Sequence, residues 1–556
     1  MRLRGGFAFL TLGLFVAVSA FGADSWRHGE RESLWPEGRI PNLGHNQRAG
    51  MTDEPINDPA WRKAHQMPYL EWFEPPKNPN GGCLILVSGG SYLGLVDVGL
   101  IKQWKETFTE LGYRTVNLVY RTPTVLKGSG WQDGQRAVRL IRASAAKRGI
   151  DPEKIGAIGM SAGGHLVTML ATCALTPSYE KVDALDDLPC HLNWCIAHAP
   201  AYNSAAGRNG KATPADGTTA PASAVGDCFA FDAKTCPVSF QHGAIDPYTP
   251  NGSVRCYEEL RRRGILAELH LFANRSHGAF GLERAIEFMN GLQLVAKLAP
   301  AVDLTARFAD DSARASVERE SVWPEGRGEA VLDWHFPRDR KTKAVLLVCE
   351  GAGDAFDAAS LRRYLNERGM TVVTLSRSCA LQDLQRAVRV VRSRASEKGL
   401  NPDFVGALGA FDAARTVLLN ATGSRTPAYS PVDGLDRLPC KMKWAVAVNP
   451  PRLLKAGVDE LALPAGDEGL AALDPAFAFD ADTCSACFIC GDAEGLSAMG
   501  CVKVWEKMRR MNIQSELHSL AFGGRGFLKA ASPGTGAFTW MDRVWDYFVV
   551  KNVLVR

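Results

Sequence analysis

The chain has no marked excess of either charge and no basic tract: 64 lysines and arginines stand against 60 aspartates and glutamates, a formal net charge of +4 over 556 residues. So balanced a surface builds no field that would gather nucleic acid, and none is expected as a partner. Beyond its first two dozen residues the sequence also lacks any apolar run near the roughly 20 residues that cross a bilayer, so no stable membrane insertion is expected. Cysteine is modest for this length, fourteen in all with seven in each half, which in an exported chain leaves room for a few bridges. The run Cys484-x-x-Cys487-x-x-Cys490 lacks an obvious fourth ligand nearby and lies on a strand-like segment, so no metal is expected there.

What is present begins with an export signal. Arg2 and Arg4 precede an apolar run over 7–18, with small residues through Ala20 and Ala23. That order of charge, apolar core and small residues predicts a cleaved signal peptide at 1–23 and a secreted or periplasmic protein. No cysteine lies near the cleavage region, which argues against a lipid anchor.

The rest reads as one half-protein written twice. The segment 156–165, GAIGMSAGGH, recurs as GALGAFDAAR at 406–415, and RESLWPEGR at 31–39 recurs as RESVWPEGR at 319–327. So long a period means two whole domains, not a solenoid. The expected organisation is a catalytic domain over 24–300, a linker over 301–316 and a catalytically inactive copy over 317–556. In the first half, residues 83–87, 116–120, 155–159, 194–198, 238–242 and 269–273 read as strands, and 100–111, 132–148, 164–174, 254–263 and 282–298 as helices. Alternation at this spacing predicts an α/β fold: two tandem domains, each a mostly parallel sheet with helices on both faces, the second a degenerate repeat. The Gly-, Ala-, Thr- and Pro-rich stretch 207–224 reads as a surface loop that either shapes a cleft or is a plain insertion.

Gly159-x-Ser161-x-Gly163 falls after a strand and before a helix, the setting of a nucleophile elbow. Asp246 follows the strand at 238–242, and His277 follows the last strand, giving the chain order Ser, Asp, His. A serine hydroxyl is a poor nucleophile at neutral pH. It needs His277 as base, and His277 needs Asp246 to fix its tautomer and steady the imidazolium. Residues 231–278 align without a gap onto 479–526, and there Ser161, Asp246 and His277 become Phe411, Glu494 and Arg525. His270 is kept as His518, which marks it as structural. The turn at 87–92 offers the amide of Gly90 or Ser91, with that of Ala162, as an oxyanion hole. In the second half this turn carries Glu350. His165 either lines the site or packs its helix. Cys190 and Cys236 each precede a strand and recur as Cys440 and Cys484, so a disulfide within each half is geometrically reasonable, with four buried thiols as the alternative.

Gly89-Gly90-Ser91-Tyr92, Tyr120-Arg121-Thr122-Pro123, the run from Met160 to Leu166, that from His242 to Pro250 and that from Ala267 to Gly278 together resemble α/β-hydrolase esterases of the acetyl xylan esterase and bifunctional feruloyl esterase type. The resemblance covers about residues 30–298. It implies removal of acetyl or feruloyl groups from plant-type polysaccharides or oligosaccharides by an exported bacterial enzyme with no metal or organic cofactor. Ser88-Gly89-Gly90-Ser91-Tyr92 stands where that family usually has Pro-Gly-Gly-Gly-Tyr; the backbone donors survive the change, but the shape of the acyl pocket need not. Two other readings stand beside this one: a general carboxylesterase or peptidase on the same triad, and a carbohydrate-binding or assembly protein with a vestigial esterase half. For the second half, Trp323, Trp334, Trp444, Trp505, Trp540 and Trp545 are candidate stacking faces for sugars, although Trp35 and Trp72 match the first two.

Overall fold

The structure, a computed structural model, describes residues 29–41, 67–96, 98–124, 127–204, 225–294, 300–304, 316–350, 356, 358–464, 466–491, 498–523 and 525–553. The expected signal at 1–23, the loop at 207–224, Glu494 and most of the linker lie outside these residues.

Short, fully apolar runs become strands buried on both faces. Cys83–Val87 sends Cys83, Ile85 and Val87 to one side of the sheet and Leu84 and Leu86 to the other, and all five are buried. The first half is built from β1 (Glu30–Ser33), β2 (Tyr69–Phe73), β3 (Cys83–Val87), α1 (Val98–Glu110), β4 (Arg114–Val119), α2 (Ser129–Arg148), β5 (Ile155–Met160), α3 (Ala162–Thr172), β6 (Trp194–His198), β7 (Val238–Gly243), α4 (Asn251–Arg262), β8 (Ala267–Phe272) and α5 (Leu282–Gly291). A short β9 (Val302–Asp303) follows. The second half contains β10 (Ser316–Ser321), β11 (Val331–Phe336), β12 (Val345–Cys349), α6 (Ala358–Glu367), β13 (Thr371–Ser376), α7 (Leu381–Ala395), β14 (Val405–Ala410), α8 (Asp412–Gly423), β15 (Trp444–Val448), α9 (Gly466–Ala471), β16 (Ser485–Gly491), α10 (Ala498–Arg510), β17 (Glu516–Leu520), β18 (Ala530–Ala531) and α11 (Trp540–Val550).

Among the described residues one sheet of sixteen strands runs through both halves, in the order β1-β2-β4-β3-β5-β6-β7-β8-β17-β16-β15-β14-β12-β13-β11-β10. Read inward from either end, the order of corresponding strands is the same. Strands β3 to β8 pair in parallel, as do β12 to β17, while β1 and β2, like β10 and β11, add antiparallel strands at the outer edges. Helices α1 and α5 cover one face of the first half, and α2, α3 and α4 the other. The halves meet where β8 pairs antiparallel with β17, His270 opposite His518.

The join carries paired charges on both faces of the sheet. On one face, α4 supplies Arg255 and Glu258 and α10 supplies Lys503 and Glu506, four groups buried together. Lys503 Nζ lies 2.8 Å from Glu258 Oε1 and 3.2 Å from Glu506 Oε2, and Arg255 bonds both glutamates. On the other, Arg284 and Glu287 of α5 meet Arg543 and Asp546 of α11. Arg284 reaches Glu287 and Asp546 at 3.0 Å each, and Arg543 bonds Glu287. The first set, buried throughout, balances two cations with two anions, which buried charges require, while in the second Asp546 is exposed.

Several expectations change. The helix expected over 282–298 ends at Gly291, with Leu292 closing it. The antiparallel strands β1 and β2 were not anticipated. Cys190, Cys236, Cys440 and Cys484 are free thiols and not two bridges. The Sγ of Cys190 and that of Cys440 are instead turned to the carbonyls of Ala174 and Ser424, at 3.2 and 3.1 Å. Trp323, Trp334, Trp444, Trp505 and Trp540 are buried and offer no face to a sugar, while Trp545 is half-buried. Trp323 donates to Asp383 as Trp35 does to Asp133, each at 2.7 Å, so these rings are core. Cys487 and Cys490 lie three apart on β16 and so pack into cores on opposite faces of the sheet, where they cannot share an ion.

Candidate active site

Ser161 sits between β5 and α3 with φ 57° and ψ −120°, a backbone conformation that costs a non-glycine residue about 1–3 kcal/mol. The glycines on either side permit it. A Cβ at Gly159 would lie 2.3 Å from the Gly163 carbonyl oxygen, and one at Gly163 would lie 2.3 Å from that of Val87. Gly163 thus lets the start of α3 press against the exit of β3, bringing the elbow to the turn that holds Gly90 and Ser91. The serine amide donates to His198 O at 3.0 Å, and its carbonyl accepts from His165 N and Ala201 N.

The three residues expected to act together meet here. His277 Nε2 lies 2.8 Å from Ser161 Oγ, and His277 Nδ1 lies 2.8 Å from Asp246 Oδ2. Asp246 is wholly buried and Ser161 nearly so, whereas the His277 side chain keeps 22% of its surface exposed, so the line reaches solvent at the histidine. Burial pushes the Asp246 carboxyl up, but hydrogen bonds and charge from His242 and His277 outweigh it and hold the group well below the usual carboxylate range. It is therefore ionised and can steady an imidazolium. Tyr248 N donates to Asp246 Oδ1 at 2.7 Å, and the Tyr248 ring lies 4.6 Å from that of His277.

The oxyanion turn is sharply bent. Gly90, Ser91 and Tyr92 have φ of 132°, 57° and 59°, and a Cβ at Gly90 would lie 2.1 Å from Gly94 O. Ala162 opens α3, where backbone amides have no intrahelical acceptor. His165 does not line the site. It is fully buried, with Nδ1 2.7 Å from Tyr92 Oη and Nε2 3.3 Å from Cys228 Sγ, and so ties the elbow helix to the oxyanion turn. Burial lowers it to about 3, which keeps it neutral.

Sequence reasoning missed His242, at the end of β7. Its Nε2 lies 3.1 Å from Asp246 Oδ2 and its Nδ1 lies 2.8 Å from Ser253 Oγ. Burial lowers its pKa, opposed by Asp246. The comparison of halves carried the signal, because His242 and Ser253 fall on Cys490 and Cys501. Arg509, from the second half, was also missed and had no such signal.

At the corresponding place in the second half, Phe411 keeps the same bend, φ 53° and ψ −125°, and its amide bonds Val448 O at 2.9 Å. Arg415 there pairs with Asp474 at 2.6 Å. Arg525 opens a short helical turn, Arg525–Leu528. Among the described residues one group, Cys487, Glu516 and His518, brings potential metal ligands within 4.8 Å of one another, all buried. Its His518 and Glu516 already bond each other at 2.9 Å.

Residues 71–186 match the family described as BD-FAE. The match spans β2 to the turn before β6, so it takes in the oxyanion turn and Ser161 but neither Asp246 nor His277. A curated acetylxylan esterase of Xylanibacter ruminicola is 26% identical over 211 residues, 36% of this chain and 42% of that one. The chain thus spans less than half the length of that relative. Among solved structures, the apo form of Thermogutta terrifontis esterase 2 is 23% identical, with a TM-score of 0.35 and coverage of 42% of this chain and 92% of that one. An acetyl ester-xyloside bifunctional hydrolase of Caldicellulosiruptor lactoaceticus is 21% identical, with a TM-score of 0.32 and coverage of 46% and 92%. In sequence, the first half is thus similar to BD-FAE over 71–186 and to that acetylxylan esterase. No described helix is long and apolar enough to cross a membrane.

Proposed function

We propose that the protein is an exported serine esterase whose first half removes acetyl, or feruloyl, groups from plant-type polysaccharides or their oligosaccharides. The observation that carries the hydrolase reading is the unbroken hydrogen-bonded line Ser161, His277, Asp246 at the carboxyl ends of parallel strands. The acyl-sugar substrate is supported by the acetylxylan esterase relative.

In this mechanism Ser161 Oγ attacks the ester carbonyl carbon while His277 Nε2 takes the hydroxyl proton. The carbonyl oxygen gains the charge, which the amides of Ala162 and of Gly90 or Ser91 would hold. Collapse breaks the bond to the sugar oxygen, which leaves with the proton from His277, and the acyl group stays on Ser161. Water then repeats the sequence, releasing the carboxylic acid. No metal or organic cofactor enters this sequence. The second half is a catalytically silent copy, since phenylalanine at 411 offers no oxygen to acylate.

The test compares product release from acetylated xylan, feruloyl esters and peptide amides by the parent and Ser161→Ala chains. Acid release from acetylated xylan that is lost in Ser161→Ala supports the reading. Turnover of simple aryl esters without any release from xylan points to a general carboxylesterase, and cleavage of amides to a peptidase.

A further inference from the structure

The loop that carries Asp246 leaves β7 at Gly243 and enters α4 at Asn251. Inside the first half it is held at its start: Ala244 N donates to Phe272 O at 2.9 Å, and Ile245 N donates to Arg275 O at 3.2 Å. The same loop is also gripped from the second half. Arg509, at the end of α10, directs Nε to Ala244 O at 3.3 Å and Nη1 to Asn251 Oδ1 at 3.2 Å. One planar guanidinium therefore spans the loop, bonding it two residues before Asp246 and five after. A guanidinium holds its donors in a fixed fork, so two bonds from one head constrain the distance between their acceptors. The loop after β8, which carries His277, is anchored to the second half as well, because Asn274 Nδ2 donates to Val550 O at 2.9 Å.

We infer that Arg509 is a positioning residue for the first half's site, holding the Asp246 loop where His277 requires its carboxylate. This rests on the esterase reading above. The second half then acts on catalysis in place, with no chemistry of its own. Burial lowers the Arg509 guanidinium to about 10, with Asp246 opposing the shift, so it stays charged at neutral pH. Its positive charge near Asp246 also favours the ionised acid.

Arg262 supplies the matching control. It crosses the same join in the opposite direction, with Nε donating to Leu461 O at 3.0 Å and Nη2 to Leu463 O at 2.7 Å, and no bond to the Asp246 loop.

The experiment measures kcat, KM and Tm for the full chain and its Arg509→Met, Arg509→Lys and Arg262→Met variants on p-nitrophenyl acetate. A displaced acid loop is expected to lower kcat about ten- to a hundredfold in Arg509→Met with KM within about twofold. Arg509→Lys should recover part of that loss, because an ammonium keeps the charge and one of the two bonds. Arg262→Met should lose stability and keep the parental kcat. If Arg509→Met loses no more kcat than Arg262→Met, the inference is overturned. Should Arg509→Met fail to fold, Arg509→Lys decides alone: a lower kcat at unchanged KM supports the role, and a parental kcat overturns it. Ser161→Ala separates the two levels. If Ser161→Ala keeps its rate the esterase reading fails, whereas an inactive Ser161→Ala beside a fully active Arg509→Met removes only the role of Arg509.

Discussion

His270 and His518 face each other across the join, Nδ1 to Nδ1 at 3.0 Å, each backed by the glutamate two residues before it on its own strand. Those glutamates also cross the join: Glu516 accepts from Ala273 N and Glu268 from Ala521 N, each at 3.1 Å. The Nδ1 to Nδ1 contact is a hydrogen bond only when one of the two nitrogens carries a proton and the other accepts it. Burial holds His270 well below its ordinary value. Replacing only His518, as in His518→Leu, strands its partners and should cost about 1–3 kcal/mol. The double change His270→Leu with His518→Leu should cost less than the two single changes together. Urea midpoints of the three variants test this; strict additivity would contradict it.

Two buried histidines should make the protein less stable in acid. Burial lowers both His165 and His198 to about 3, whereas in the unfolded chain each takes up a proton near about 6.5. Below that value the unfolded state binds protons that the folded state refuses. The stability from these two neutral rings is therefore fully present above pH 6.5 and is lost as pH falls toward 3. Urea midpoints should fall steadily from pH 7 to pH 4.5, and a flat profile would contradict the burial of these rings as neutral groups.

Ser161→Ala and His277→Ala should each lower ester hydrolysis by about a thousandfold or more while leaving the fold intact, since the members of the line act as one unit. In the parent, a fluorophosphonate should label Ser161 and nothing in the second half. The rate should fall on the acid side, because only a neutral imidazole accepts the serine proton. Label on the Ser161→Ala chain would place the nucleophile elsewhere.

His242→Phe removes one of the two imidazoles on the Asp246 carboxylate and leaves Ser253 Oγ without its ring partner. The acid should then lose orientation, and kcat should fall about tenfold or more with little change in KM. Steady-state kinetics at constant Tm check this; a parental kcat would make His242 a packing residue only.

Residues 24–310 expressed alone should pair with themselves. Without the second half, β8 is an open edge, and its neighbours Arg255 and Glu258 occupy positions that Lys503 and Glu506 mirror across the join. A second copy would offer the same complementary set. Sedimentation should give a dimer, and a well-folded monomer with the parental Tm would show that this edge needs no cover.

The two tetrads show where the sequence stopped short. Apolar groups take part in the seam between the halves, with Phe288 near Phe522 at 6.1 Å between ring centroids. Yet no periodicity in α4 or α10 foretells that Arg255 and Glu258 would be buried against Lys503 and Glu506, because charged positions on a helix read as solvent-facing until a partner is known. The expected disulfides failed for a related reason. Starting near neighbouring strand ends does not fix where a thiol points, and the Sγ of Cys190 and that of Cys440 turn to carbonyls.

What the sequence determined by itself was local or repeated. Strand and helix followed from apolar runs and their period, the elbow from Gly159, Ser161 and Gly163, and the triad from what the second half had lost. Its limits were contacts between residues about 250 positions apart. That β8 would pair with β17, that His270 would meet His518, and that Arg509 would reach the loop of Asp246 were decided only in the folded chain. Such contacts leave no spacing to read, since each partner satisfies its own local pattern and the pairing depends on which edges remain open once both halves have formed.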